Sequence, residues 1–124
     1  MATIKAFSDL EQSKKLAEIL PLESADMLFQ LGEDKYADSI RVPLTKKHWE
    51  QMMPDINPCW SLAALLNYLK SKDKFPEINE LSDGRFKLTT YIWDGEHCIQ
   101  VSIGDTIVDT CYEIIIKLNE QNLL

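Results

Sequence analysis

Apolar positions along this chain change period several times, and each change marks an element. Leu10, Leu16, Ala17, Ile19 and Leu20 fit one helical face, and Ser8 with Glu11 three residues later makes the capping-box signal that opens a helix. Pro21 ends it, because the residue before a proline is pushed away from helical angles. From Ala25 to Leu31 the period falls to two, with Met27, Phe29 and Leu31 alternating against Asp26, Leu28 and Gln30. A helical reading of that stretch stays open. Gly32-Glu33-Asp34-Lys35 reads as a turn, and Ile40 and Val42 mark a second short strand ending at Pro43. A polar turn or short helix over Thr45 to Met52 follows.

The middle of the chain predicts a second helix. Asn57 suits its cap and Pro58 its first turn, where a missing N–H has no intrahelical partner to lose. Leu62, Leu65, Leu66 and Leu69 supply its stripe, and the helix frays in Ser71-Lys72-Asp73-Lys74. Asp94-Gly95 then favours a two-residue hairpin turn. Folding there pairs Thr90 with Ile99, Leu88 with Val101 and Phe86 with Ile103. One face collects Phe86, Leu88, Ile92, Ile99, Val101 and Ile103; the other holds Lys87, Thr89, Tyr91, Trp93, Cys98, Gln100 and Ser102. Thr106, with Asp109 three residues on, opens a last helix to about Asn122, with a stripe of Ile107, Cys111, Ile114, Ile115 and Leu118. Glu113 and Lys117 form a supportive pair on its outer side. The order α-β-β-α-β-β-α predicts an α+β fold of two layers, an antiparallel sheet of about four strands in two hairpins covered by three helices. A length of 124 residues predicts one domain, residues 1–124.

Charge narrows the partners. A net charge of −7 repels a phosphate backbone, and acidic residues interrupt every lysine group, so nucleic acid is not an expected partner. The longest apolar runs, such as Ile114-Ile115-Ile116, fall far short of the ~20 residues that span a bilayer, so no membrane is expected. The N-terminal residues show no continuous apolar run of a secretory signal. Three scattered cysteines without a Cys-x-x-Cys pair argue against a disulfide framework or structural zinc and for a reducing cytoplasm.

One constellation suggests chemistry. Cys59 stands in the first turn of the expected middle helix, His97 follows on a strand, and Asp105 or Asp109 comes after. Papain-like and transglutaminase-like hydrolases or acyltransferases use nucleophile, base and orienting acid in that order, and Cys59-Trp60 matches the Cys-Trp pair of the papain nucleophile. Against it stand the missing glycine-rich surroundings and a Cys59 spaced from Leu62 and Leu66 like a small core residue. A metal set of His97, Cys98 and Cys111 fails because adjacent strand residues point to opposite faces, and His48 beside Trp49 has no ligand partner. No phosphate-cradling glycine loop occurs, so neither metal nor cofactor is expected. The favoured reading is a protein-interaction domain without catalysis, working as a homodimer or with a protein partner. Tyr91, Trp93, Tyr112 and Ile116 are its interface residues, since aromatics concentrate at such contacts.

The string Pro58-Cys59-Trp60-Ser61-Leu62-Ala63-Ala64-Leu65-Leu66 resembles one found in small bacterial proteins of prophage or mobile-element type. The ending Asp109-Thr110-Cys111-Tyr112-Glu113-Ile114-Ile115-Ile116-Lys117-Leu118, closing on Asn122-Leu123-Leu124, resembles the same group. The resemblance implies a shared fold, because the matching residues are caps and apolar stripes, and it carries over no activity. In that group an Asn-Pro commonly opens the last helix, where Thr106-Ile107 stands here.

Overall fold

In the computed structural model, which describes residues 5–30, 41–43, 56–91 and 98–124, Asp9 caps the first helix, α1 (Leu10–Ile19). Gln12 N donates to Asp9 Oδ1 at 2.8 Å, and Asp9 N donates to Gln12 Oε1 at 3.1 Å. The capping box thus sits one residue after the Ser8–Glu11 pair, since both pairs fit the pattern and Ser8 is engaged elsewhere. Ser8 is fully buried; its N–H donates to Trp60 O at 2.9 Å, and its hydroxyl accepts from Trp60 N at 3.1 Å. As expected, α1 ends at an extended Leu20 before Pro21. A single 3₁₀ turn, Leu22–Ser24, follows.

β1 (Met27–Gln30) pairs antiparallel with β2 (Arg41–Pro43), Leu28 opposite Val42, as the first hairpin requires. The turn assigned to Gly32–Lys35, Ile40 and the Thr45–Met52 segment lie outside the described residues. A third strand, β3 (Ile56–Cys59), pairs with the other side of β1 and makes the sheet β2-β1-β3. Asn57 and Pro58 therefore belong to a strand, opposite Phe29 and Leu28, and do not open a helix. Proline is tolerated there because β3 lies at the sheet's edge, where a missing N–H costs no ladder bond. Ser61 caps α2 (Leu62–Ser71) instead, its hydroxyl accepting from Ala64 N at 3.2 Å. Residues 6–8 cross this junction. Leu62 N donates to Ala6 O at 3.0 Å, beside a bridge between Phe7 and Ser61. The end of α2 closes on a left-handed Asp73 (φ 58°), with Lys74 N donating to Leu69 O at 2.9 Å.

The second sheet holds β4 (Phe75–Glu80), β5 (Phe86–Tyr91) and β6 (Cys98–Gly104), all antiparallel, in that order. β4 joins β5 through a tight turn in which Gly84 takes φ +87°, a conformation only glycine adopts without strain. The fold is thus α+β with antiparallel sheets and three helices, as the pattern predicts, and each expected hairpin gains a strand, giving six described strands in two three-stranded sheets. The β5–β6 register also departs from expectation. Tyr91 faces Cys98, as a turn at Asp94-Gly95 requires, but Thr90 faces Gln100, so Ile99 is an extra residue. Past this bulge every β6 residue is turned over: Leu88 faces Ser102 and Lys87 faces Ile103. Ser102 is buried on the inner face, while Ile103 stands 47% exposed on the outer one. The turn itself, with Ile92, Trp93 and His97, lies outside the described residues.

The reason lies in the last helix, α3 (Ile107–Glu120), capped by Thr106 as expected. It packs on β5 and β6 with buried Ile114, Ile115 and Leu118. The strand beneath it presents small Ser102 and Gly104, so the helix approaches closely. Asn122, left-handed at φ 58°, ends it, and Leu123 N donates to Leu118 O at 2.9 Å. Lys117 Nζ donates to Val101 O at 3.1 Å on β6, an edge strand of its sheet. The core joins Leu16 of α1 and Leu20 just after it, Leu65 and Leu69 of α2, Leu88 of β5 and the α3 stripe with Trp60. No helix among the described residues is long and apolar enough to cross a membrane.

Candidate functional site

Cys59 ends β3 two residues before the α2 cap, so it does not occupy a helical first turn. It is fully buried. Its sulfur donates to Ser8 O at 3.5 Å and lies 3.7 Å from Ser8 Oγ, which in turn lies 2.7 Å from Ser13 Oγ. Ser8, Ser13 and Cys59 form a small polar chain between α1 and β3, and a thiol that donates to a carbonyl inside the protein is poorly placed to attack a substrate.

Asp109 is occupied as well. Its carboxylate accepts from Lys5 Nζ at 2.6 Å and Gln12 Nε2 at 2.8 Å, and Lys5 also pairs with Asp9 at 3.1 Å. These contacts tie the N-terminal segment and the first turns of α1 and α3 together. Burial pushes the Asp109 carboxyl up, but hydrogen bonds from Lys5, Gln12 and Thr106 outweigh it and hold it below the usual aspartate value. Burial likewise lowers Lys5, and the two aspartates more than reverse this, leaving its ammonium above the ordinary lysine value. Asp109 is thus a structural anion. Of the hydrolase constellation, His97 lies outside the described residues, and Asp105 is exposed just before the α3 cap.

Cys111 packs inside α3, and burial pushes its thiol up to about 12. Among the described residues no three His, Cys, Asp or Glu side chains group as a metal site; His48 lies outside them, and only the backbone of Cys98 is described. The two described thiols make a direct measurement. With Cys98→Ser, iodoacetamide at neutral pH should leave the folded chain unmodified over hours and alkylate both Cys59 and Cys111 once it is denatured. Fast modification of Cys59 in the folded chain would reveal a route to its sulfur.

Of the four residues expected at an interface, the three that are described stand on two different elements. Tyr91 is half-buried and shares a face of β5 with Thr89, opposite that of Leu88 and Thr90. Tyr112 and Ile116 stand on α3, which packs the sheet's inner face; Tyr112 is half-buried against the core, its phenol raised by burial and by Glu113, Asp9 and Glu11. Trp93 lies outside the described residues. What the sequence pattern hides is the outer face of the second sheet. There Tyr91 faces Phe75, 40% exposed, while Val101 and Ile103 lie across from Thr89 and Lys87. The bulge at Ile99 created this patch by turning Val101 and Ile103 outward. Comparison of the chain with protein-family models, curated proteins and solved structures gives no match in any of the three.

Proposed function

We propose that this chain is a protein-binding module without catalysis, which docks through the outer face of its second sheet and takes a second copy of itself as first partner. The observation that carries this reading is Ile103, 47% exposed on a regular strand and aligned with Phe75, Tyr91 and Val101 on one face. Apolar side chains exposed on a sheet face suit a contact surface. The same face holds Glu77 and Lys87, charges of opposite sign, so a two-fold arrangement sets one against the other across the interface. The hydrolase reading has no comparable support, because Cys59 is sealed against Ser8 and Asp109 is held by Lys5 and Gln12. A reducing compartment suits three cysteines of which two are core thiols. The likeness of the 58–66 and 109–118 strings adds a mobile-element origin to the proposal.

Sedimentation tests it. Wild type should sediment heavier than its 14.3 kDa monomer at micromolar concentration, and Ile103→Lys should return it to monomer mass. Because Ile103 is outside the core, the variant keeps its unfolding midpoint. A monomeric wild type, or an Ile103→Lys protein that associates as before, would remove self-association through this face.

A further inference from the structure

A second surface lies at one end of the inner layer, where the sheet, the starts of α2 and α3 and the N-terminal segment meet. It is a groove of about 760 Å³ whose lining includes apolar Leu62, Phe86 and Ile107 and charged Lys5, Glu80, Asp83 and Asp105. Its volume lies within the range of sites that hold a few side chains. Leu62 and Ile107 pack onto the core, so the apolar floor is rigid.

The charges decide what the groove attracts. Lys5 is matched by Asp9 and Asp109, and Asp83 by the Arg85 guanidinium at 2.7 Å. Glu80 and Asp105 are left with no ion pair or side-chain hydrogen bond among the described residues. An apolar floor under two uncompensated carboxylates, in a chain of net charge −7, repels acidic ligands and favours cations carrying an apolar group. We propose that this groove docks a basic segment of a partner protein, one large apolar side chain seated on Leu62, Phe86 and Ile107 and flanking Lys or Arg reaching Glu80 and Asp105. The site is separate from the outer sheet face, and its occupant is recognised by opposite charge.

A fluorescein-labelled peptide Lys-Phe-Lys-Leu-Lys, blocked at both ends, serves as the probe, followed by polarisation at low salt and by amide shifts in the ¹⁵N-labelled chain. Binding should shift the amides of Gly84, Phe86 and Ile107. Glu80→Gln with Asp105→Asn should weaken it about tenfold, the loss expected when two charged contacts go. Glu113→Gln with Glu120→Gln removes the same charge from the exposed side of α3 and should leave affinity unchanged. A peptide with both apolar residues replaced by Ala should also bind about tenfold more weakly. Both double variants alter exposed residues, and unchanged circular dichroism verifies the fold. The proposal is overturned if the probe fails to bind, if the two double variants weaken it equally, or if the Ala peptide binds as well as the parent. Ile103→Lys separates the two surfaces: it should abolish self-association and leave peptide affinity intact. Peptide binding that Ile103→Lys destroys would place the contact on the sheet face and end the groove proposal alone.

Discussion

Trp60→Ala should destabilise the fold by about 3–5 kcal/mol, a large part of the 5–15 kcal/mol typical of a domain. Trp60 is the largest fully buried side chain among the described residues. Removing it leaves a void bounded by elements that cannot all close in together, since its backbone N and O are both bonded to Ser8. The indole also donates from Nε1 to Ser24 Oγ at 2.9 Å, fixing the 3₁₀ turn that follows α1. Ser61, the next residue, holds Asp26 through both its N–H and its hydroxyl, so the Trp60–Ser61 pair anchors the start of α2 to the segment before β1. In urea, the expected result is a transition midpoint moved sharply down with its slope unchanged. Trp60→Phe should cost less, because it keeps most of the volume and loses the Ser24 hydrogen bond. A Trp60→Ala protein with a wild-type midpoint would show that the indole is not a keystone of the core.

The elements that were legible in the sequence are those whose signals are local. Pro21 ends α1, and Thr106 with the apolar stripe after it locates the start of α3 to the residue, the helix closing at Glu120, two residues before the expected Asn122. Where two local signals competed, the pattern could not choose. Ser8 and Asp9 both satisfy a capping box, and the choice fell to Ser8's burial against Trp60, a contact between residues 52 positions apart. Asn57 and Ser61 both suit a cap, and pairing of residues 56–59 with β1 decided for Ser61. β4 is not legible in the pattern, although Asp83-Gly84 carries the same turn signal as Asp94-Gly95. Pro76 weighs against a strand over Phe75–Glu80, and the edge position of β4 is what tolerates it. The candidate surfaces were less legible still. The groove gathers residues 5, 62, 80, 86, 105 and 107, which no periodicity connects. The outer face arises from a one-residue insertion in β6, under the helix that follows that strand and packs back onto it.

That packing can be tested at Gly104, where Gly104→Ala should cost about 1–3 kcal/mol, the range for an overpacked contact. An added Cβ would stand 2.7 Å from Thr110 Oγ1, well inside contact distance, with Thr110 N at 3.4 Å behind it. The hydroxyl cannot easily turn away, because Thr110, itself fully buried, donates from Oγ1 to Thr106 O at 2.6 Å. The gain of about 0.4–1 kcal/mol that alanine brings by restricting the unfolded chain is smaller than the clash, so the net sign is destabilising. The clash assigns the effect to one atom, which a double-mutant cycle can isolate. In a Thr110→Ala background the offending oxygen is gone, and Gly104→Ala should there cost less than half as much. Equal costs in both backgrounds would mean that α3 does not rest on β6 at this point. Small residues under the helix would then not be what turns Val101 and Ile103 outward.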